Sequence, residues 1–353
     1  MIIGRFIALG HRHDDVFERQ HGSRFNLERE MHVKRPATCV RRVKVNFPRL
    51  THAVGLHEMT FVMYVEPMVG RQILEICDER CYVDNCHAGF LVRCYTETSK
   101  HDTVSAVEAL RIIELFREVA SAIHGRIHQD EDWGLSGNRD GQYTFDVSAD
   151  AIALGLLTSA GLGVLSEESG VTHPDREILV VMDPIDGSTN ASAGLPWYGT
   201  SLCALDEVGP LASLVVNQAT GTSWHAIRGQ GAYRDGQRIT PSGVEKLGDA
   251  FLTVSGLPER HFGWRQFRCY GAAALDICSV ADGTFDAYAD LSIDAHGSWD
   301  YAGALLVCEE AGGVIVDVNG RDLIARSHLD RRTPVAAATP ALLAELVKAI
   351  KQP

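Results

Sequence analysis

The sequence predicts an α/β protein over residues 104–353, and three features carry that prediction. A β-branched run, Glu177–Met182, stops at Asp183 and Pro184, as a buried strand does when it delivers side chains at its exit. Short apolar runs predict a meander of antiparallel strands at residues 200–205, 212–216 and 223–227. From residue 247 onwards strand and helix patterns alternate, which is typical of α/β proteins.

The first part of this region predicts two helices and a strand. Apolar residues recur at helical spacing up to about Gly125, so a helix is expected there with a buried stripe that includes Val107 and Leu110. A second helical pattern covers Phe145–Leu157. Gly161–Leu165 is a short apolar run that leads into acidic residues, and it is interpreted as a strand.

The last part of the chain supplies the alternating elements. Strands are predicted at Phe251–Val254, Ala287–Ala289 and Val314–Val316, and helices at Ala272–Ala281 and Tyr301–Ala311. Acidic residues such as Asp183 and Asp300 therefore lie where a predicted strand ends or a predicted helix begins.

Composition excludes several classes of function. The net charge of −13 argues against a nucleic-acid-binding surface, because phosphate backbones are bound by clustered Lys and Arg. No apolar run reaches the roughly 18 residues that a membrane-spanning helix needs, and the N terminus has no small-residue cleavage site. We therefore expect a cytoplasmic protein with reduced thiols that binds neither nucleic acid nor membrane.

Residues 1–103 differ from the rest of the chain and are assigned no fold. They contain 15 basic and 13 acidic residues, against 18 and 33 in residues 104–353. The segment is interpreted as a poorly ordered extension, or as the product of a start placed upstream of the true one. A zinc site is a weaker alternative, because the spacing lacks paired C-x₂-C motifs. Its candidate ligands are Cys77, Cys81, Cys86, His87 and Cys94.

The segment Asp183–Asn190 combines residues suited to a cation with residues suited to phosphate. Pro184 restricts the backbone between Asp183 and Asp186, so we expect a sharp turn with both carboxylates on one side. Two carboxylates on one turn favour a hard cation. Gly187 allows close approach of a ligand, and Ser188 and Thr189 offer hydroxyl and N–H groups where a helix is expected to begin.

This segment, D-P-I-D-G-S-T-N, resembles the signature of the inositol monophosphatase family. Three further motifs support the resemblance. Ser166-Glu167-Glu168 is similar to the family's G-E-E, with Ser in place of Gly, and Trp299-Asp300-Tyr301-Ala302-Gly303 is similar to its W-D-x-[AG]-[AG]. Gly229–Ala232 resembles its G-x-G-A turn. The resemblance covers about residues 104–353.

The resemblance implies an αβαβα layered sandwich with the active site between two halves, residues 104–240 and 241–353. It also implies that Glu167, Asp183 and the carbonyl of Ile185 bind one Mg²⁺, while Asp183, Asp186 and Asp300 bind a second. Oxygen ligands without His or Cys are the set that Mg²⁺ prefers. Two cations would support in-line attack of water on phosphorus.

The same resemblance implies roles for the remaining site residues. Ser188, paired with Asp150, is expected to remove a proton from the attacking water, with Glu167 also in the catalytic set. Gly187, Ser188 and Thr189 are expected to bind phosphate. Asp290 lies where many inositol phosphatases have a Glu that accepts hydrogen bonds from substrate hydroxyls.

The motifs leave the substrate open. Inositol 1-phosphate is the preferred small polyol phosphate. Fructose 1,6-bisphosphate, 3′-phosphoadenosine 5′-phosphate and histidinol phosphate remain alternatives on the same fold. An inactive binding or regulatory homologue is an alternative of another class, although the complete ligand set argues against it. The resemblance further implies a homodimer and inhibition by lithium.

Overall fold

The computed structural model describes residues 106–129, 133–139 and 141–352, together with six short strands nearer the N terminus. The chain forms two compact units, Met1–Thr103 and Val104–Pro353. The strands of the first unit are β1 (Arg5–Ile7), β2 (Asn26–Arg29), β3 (Cys39–Asn46), β4 (Met59–Val65), β5 (Cys81–Cys86) and β6 (Gly89–Cys94). An antiparallel sheet has the order β1-β4-β3-β2, and β5 pairs with β6. The side chains of the proposed zinc ligands lie outside the described residues.

The second unit contains the helices. They are α1 (Ala106–Ile127), α2 (Thr144–Ser159), α3 (Ser188–Ser192), α4 (Ala273–Ala281), α5 (Ala302–Ala311) and α6 (Pro340–Lys351). Those expected from the sequence near α1, α2, α4 and α5 are confirmed, whereas α6 was not predicted. In the part of the chain that the structure describes, no helix has the length and apolarity needed to cross a membrane.

Eight strands of the second unit form one sheet. They are β7 (Gly163–Ser166), β8 (Gly170–Thr172), β9 (Leu179–Asp186), β10 (Gly199–Leu205), β11 (Pro210–Asn217), β12 (Ser223–Ile227), β13 (Gly231–Arg234) and β14 (Gln237–Arg238). Their order is β14-β13-β12-β11-β10-β9-β7-β8. The meander from β9 to β14 is antiparallel. This confirms the predicted meander of β10, β11 and β12, whereas β13 and β14 were not predicted. β7 pairs with β9 in parallel.

The other sheet of this unit has five strands. They are β15 (Phe251–Ser255), β16 (Gln266–Arg268), β17 (Ala287–Asp290), β18 (Val314–Asp317) and β19 (Pro334–Ala337), in the order β16-β15-β17-β19-β18. β15 is parallel to both of its neighbours, and the other two pairs are antiparallel. The parallel strands place the ends of β15 and β17 at the same edge of the sheet.

Five layers result, as expected. One core packs α1 and α2 against one face of the eight-stranded sheet. A second core packs α4 and α5 against the opposite face of that sheet and against the five-stranded sheet. A third packs α6 on the far side of the five-stranded sheet. The order is therefore αβαβα, with α4 and α5 in the middle layer.

The buried stripe of α1 differs from the prediction at its start. Val107 and Leu110 are 60% and 52% exposed, so their assignment to the stripe was wrong. The stripe runs instead through Ala109, Ile113 and Phe116 and continues along the helix at spacings of three and four residues. Val107 and Leu110 lie off that line and therefore do not face the sheet.

Candidate metal-dependent active site

Asp183 and Asp186 lie within β9, where the sequence predicted that the strand would already have ended. Two residues three positions apart normally project to opposite faces of a strand. Here Ser201 of β10 pairs with Asp183 and Gly199 pairs with Asp186, so three steps along β9 face two along β10. This β-bulge adds one residue to β9 and brings both carboxylates to one side. The predicted outcome is reached by a bulge rather than by a turn.

Glu167 and Asp300 join Asp183 in one cluster. One carboxylate oxygen from each of the three residues lies within 4.8 Å of the others. Glu167 directly follows β7, the parallel neighbour of β9, and its N–H donates to the carbonyl of Met182 at 3.2 Å. Asp300 ends a short 3-10 helix, Ser298–Asp300, that leads into α5. The sequence motifs around Glu167, Asp183 and Asp300 therefore meet in space.

The Asp186 carboxylate is oriented by the first turn of α4. Its Oδ1 accepts from the N–H of Ala273 at 3.2 Å, and its Oδ2 accepts from the N–H of Ala274 at 2.7 Å. These N–H groups have no partner within the helix, and the helix dipole favours a negative charge there. Asp186 thus links the eight-stranded sheet to the middle helical layer.

Gly187 occupies a position that only glycine fits without strain. Its φ is +87°, and a Cβ placed there would lie 3.0 Å from the carbonyl oxygen of Trp197 and 3.1 Å from the Cβ of Ala272. Ser188 then starts α3, which is only five residues long. Thr189 is exposed, and its hydroxyl lies 3.4 Å from that of Tyr143. The proposed phosphate contacts of these residues remain predictions.

The partner of Ser188 is Asp146, and the predicted pairing with Asp150 was wrong. The Ser188 hydroxyl lies 2.8 Å from both Asp146 Oδ1 and the carbonyl oxygen of Ile185. Asp146 occupies the first turn of α2 and also accepts from the N–H of Tyr143 at 3.0 Å. Asp146 and Asp150 are one helical turn apart, so the family resemblance assigned the role to the wrong turn of α2. An acid at the third helical position, which caps the helix start, was the signal that could have identified Asp146.

Asp150 has a different environment. Its carboxylate accepts hydrogen bonds from the hydroxyl groups of Ser166 and, at 3.3 Å, Ser169. Burial raises the pKa of Asp150, while these two hydroxyl groups lower it. Ser166 is the residue that replaces the Gly of the G-E-E motif. The hydroxyl group that this replacement adds therefore serves as a hydrogen-bond donor to a buried carboxylate.

Asp290 is fully buried, which argues against the predicted contact with substrate hydroxyls. Its Oδ1 accepts from the N–H of Ser292 at 2.8 Å, and its Oδ2 lies 2.8 Å from Nδ1 of His296. Both carboxylate oxygens are thus engaged within the protein. Although burial lowers the pKa of His296, the hydrogen bond to Asp290 and the nearby charge of Asp300 raise it to about 9. Asp290 therefore acts here as the hydrogen-bond partner of His296.

The clustered acids are costly to ionise together. Burial raises the pKa of Glu167 to about 8, and the charge of Asp300 adds to the shift. Burial and the charge of Asp300 likewise raise the pKa of Asp186 to about 7. Burial is also the main cause of the raised pKa of Asp183 and of Asp300. Each carboxylate would be stabilised in its charged form by bound cations.

The donor set fits hard divalent cations. The carboxylates of Glu167, Asp183, Asp186 and Asp300 offer oxygen atoms only, as does the nearby carbonyl of Ile185, and Mg²⁺ and similar ions take such ligands. Like charges at this spacing without a counter-ion are unfavourable. The raised pKa values of the cluster express this same cost, which bound cations would offset.

A cavity of about 420 Å³ opens beside this cluster. Its walls include Glu167 of the cluster, Ser188 and Asp146, the side chain of Trp299, and two arginines, Arg139 and Arg331. Arg139 donates to Glu168 Oε2 at 2.9 Å and to the carbonyl of Glu167 at 3.1 Å. A volume of this size suits a small ligand. Neither arginine was identified from the sequence.

Carboxylates that can hold cations, beside a cavity with hydroxyl and arginine groups, define a metal-dependent phosphatase. The inositol monophosphatase family model matches residues 102–352. This chain belongs to the inositol monophosphatase family, whose members hydrolyse phosphate monoesters.

Individual relatives agree with this assignment. The fructose-1,6-bisphosphatase/inositol-1-monophosphatase of Archaeoglobus fulgidus is 32% identical over 69% of this chain and 98% of its own length. The inositol-1-monophosphatase of Mesorhizobium japonicum is 32% identical over 62% of this chain and 86% of its own length. A crystal structure of an inositol monophosphatase-fructose 1,6-bisphosphatase superposes with a TM-score of 0.60 at 28% identity, covering 67% of this chain and 98% of the other. The similarity therefore spans the second unit.

Proposed function

We propose that this chain is a Mg²⁺-dependent phosphomonoesterase that hydrolyses small sugar or polyol phosphates. The observation that carries the proposal is the convergence of Glu167, Asp183 and Asp300 within 4.8 Å, beside Asp186 and the Ser188–Asp146 pair. Glu167, Asp183 and the carbonyl of Ile185 would hold one ion. Asp183, Asp186 and Asp300 would hold a second, so that Asp183 bridges the two.

The residues around the proposed cation sites would form a route for the proton that leaves the attacking water. Bound cations would lower the pKa of a water molecule and stabilise the attacking and leaving oxygens. Ser188 would accept the proton of the attacking water while its own proton moves to Asp146, whose Oδ1 lies 2.8 Å from the Ser188 hydroxyl. Burial raises the pKa of Asp146 to about 7, in the range suited to proton transfer near neutral pH. Gly187 and Thr189 flank Ser188 and would contribute to phosphate binding.

Two substrates are the leading candidates. Inositol 1-phosphate and fructose 1,6-bisphosphate are both favoured because several relatives, including the one from Archaeoglobus fulgidus, carry a name that combines the two activities. The test is phosphate release from a substrate panel, with Mg²⁺ and with EDTA. The panel includes 3′-phosphoadenosine 5′-phosphate and histidinol phosphate. We expect Mg²⁺-dependent turnover of at least one of the two leading candidates.

Two outcomes would contradict the proposal. Hydrolysis that persists in EDTA would show that the activity does not require divalent cations. Failure to hydrolyse any member of the panel would instead favour the inactive homologue. Asp183→Asn should abolish Mg²⁺-dependent turnover, because a bridging carboxylate contributes to both cation sites.

The proposal extends to the state of the protein. We infer a cytoplasmic homodimer whose catalytic unit is residues 104–353, with residues 1–103 outside it. Light scattering after gel filtration would measure the oligomeric state. A monomeric mass at assay concentration would contradict the dimer.

A further inference from the structure

The carboxylates of Glu167 and Asp300 have to be held close together before a cation arrives. One oxygen of each lies within 4.8 Å of the other and of an oxygen of Asp183. Like charges at this distance repel each other. The two residues come from different parts of the fold, because Glu167 follows β7 and Asp300 ends the 3-10 helix before α5. A contact that joins these two segments would therefore prepare the site for a cation.

The side chain of His328 makes such a contact. Its ring stacks on the indole of Trp299, with ring centroids 4.6 Å apart and ring planes 27° apart. Trp299 is 4% exposed and directly precedes Asp300. His328 Nε2 lies 3.0 Å from the carbonyl oxygen of Glu167. A carbonyl oxygen can only accept, so Nε2 carries the proton of this hydrogen bond. One side chain thus joins the segment of Glu167 to the segment of Asp300.

The loop that carries His328 is itself anchored. Arg331 Nη1 donates to the carbonyl oxygen of His328 at 2.7 Å, and the centre of the guanidinium group lies 4.9 Å from the centroid of the Trp299 ring. This distance corresponds to a cation–π contact. The N–H of Arg332 donates to the carbonyl of His296 at 2.8 Å, and the N–H of His296 donates to the carbonyl of Arg332 at 3.3 Å. The loop is therefore attached to its neighbouring segment through both the backbone and the Trp299 ring.

Histidine combines the two properties that this contact needs. Its flat ring stacks on the indole, while the N–H at the edge of the ring donates to the Glu167 carbonyl. Phenylalanine would keep only the stacking, and glutamine would keep only the donor. The Glu167 carbonyl also accepts from Nη1 of Arg139 at 3.1 Å, but that bond leads to the loop before α2 rather than to Asp300.

We propose that His328 is a positioning residue for the cation site, which holds the segments of Glu167 and Asp300 together and thereby raises the affinity for Mg²⁺. This inference rests on the proposed function and deepens it. Mg²⁺ demands near-ideal octahedral geometry, so ligands that can drift apart bind it less tightly. His328 does not belong to the cavity lining, so its effect should be on cation binding rather than on the reaction.

The test is a calorimetric titration of the metal-free, full-length protein with MgCl₂, followed by phosphate release at varied Mg²⁺. In His328→Phe, we expect the midpoint of the Mg²⁺ titration to rise about tenfold, as for the loss of a group that orients metal ligands. His328→Gln can place an amide N–H near the position of Nε2, and its midpoint should stay within about threefold of the wild type. At saturating Mg²⁺, kcat and KM of His328→Phe should be within about twofold of the wild-type values.

His225→Phe is the matched control. His225 is also half-buried and stacks on an aromatic ring, that of Tyr233, with centroids 5.3 Å apart. It lies on β12, which two strands separate from β9. Leu329→Ala controls for the loop, because it changes the neighbour of His328 at a side chain that is 86% exposed. Both variants should keep the wild-type midpoint.

The melting temperature of each metal-free variant checks that it folds. His328→Asn decides the test if His328→Phe does not fold. Its shorter side chain cannot bring an amide N–H to the position of Nε2, so its midpoint should also rise about tenfold.

Three outcomes would overturn the role of His328. The first is a midpoint in His328→Phe within about twofold of the wild type, and the second is an equal rise in His328→Gln. The third is a kcat of His328→Phe that stays low at saturating Mg²⁺, because the residue would then act on the reaction itself.

The titration also separates this inference from the proposed function. If the wild type binds Mg²⁺ but hydrolyses no ester, the proposed function fails, and the midpoints alone decide the role of His328. If the wild type is active and the midpoints do not differ, only the role of His328 is overturned. If the wild type binds no Mg²⁺, both fall.

Discussion

The pairing of Ser188 with Asp146 rather than Asp150 predicts a sharp difference between two similar variants. Asp146→Asn removes the acceptor of the Ser188 proton while preserving the shape of the side chain. Asp150→Asn makes the same change one helical turn away, at a carboxylate that is bonded to Ser166 and Ser169. The two variants make the same chemical change at two positions, so a difference in kcat between them reports which carboxylate takes part in the reaction.

The expected magnitudes follow from these contacts. Proton transfer by a positioned side chain contributes about 10²- to 10⁴-fold to a rate, so Asp146→Asn should lower kcat by that factor. Asp150→Asn should lower kcat less than about tenfold, since asparagine can still accept the hydrogen bond from Ser166. KM should change little in either variant, because neither side chain is assigned to substrate binding.

The assay is phosphate release at saturating Mg²⁺ and substrate, with the melting temperature of each variant as the control for folding. Ser188→Ala should lower kcat as Asp146→Asn does, and the double variant should be no worse than either one, because residues that act as a unit are not additive. Equal losses in Asp146→Asn and Asp150→Asn would refute the reasoning. Additive losses in the double variant would refute the shared proton path.

Three further predictions concern the cations, Gly187 and the first unit. The folded-state pKa values of Glu167 (about 8) and Asp186 (about 7) lie above those of the unfolded chain, so the metal-free folded state binds more protons. Its melting temperature in EDTA should therefore fall as the pH rises from about 5 to 8, and Mg²⁺ should reverse much of the fall at pH 8; a constant melting temperature would contradict this. Gly187→Ala should cost about 1–3 kcal/mol in thermal unfolding, from backbone strain together with the contacts of the new Cβ. Gly221→Ala, with φ +77° and open space around it, should cost less, and an equal cost would show that the contacts are unimportant. Deleting residues 1–103 should leave Mg²⁺-dependent kcat/KM within about threefold of the full-length value, which corresponds to less than 1 kcal/mol. A larger loss would show that part of that segment belongs to the working enzyme.

The acidic cluster of the candidate cation site could be predicted from the sequence because its residues belong to short motifs. Asp183 and Asp186 lie on one strand, and Glu167 and Asp300 each sit directly beside a strand or helix end. A residue at such a position can be recognised from the local sequence pattern alone. The bulge that unites Asp183 and Asp186 was missed, because it depends on the register with β10, which the local sequence does not show.

The residues that complete the site depend on contacts between distant segments. The amides of Ala273 and Ala274 reach Asp186 from another layer of the fold. Asp146 could be separated from Asp150 only by knowing where α2 begins. Asp290 was assigned to substrate from its place in a motif, although its carboxylate contacts His296, which lies six residues further along the chain. Spacing alone does not reveal which of two nearby acids faces a cavity.

The same distinction bears on substrate choice. The motifs carry the proposed cation ligands and the proposed phosphate-binding residues, so they would look alike in enzymes that act on different esters. Arg331 lies in the loop before β19, which packs on Trp299 through His328. Trp299 belongs to a motif, whereas Arg331 and His328 belong to none that the sequence reveals. Residues that line the cavity from outside the motifs do not show in the local pattern, which is why a motif-based prediction reaches the reaction before it reaches the substrate.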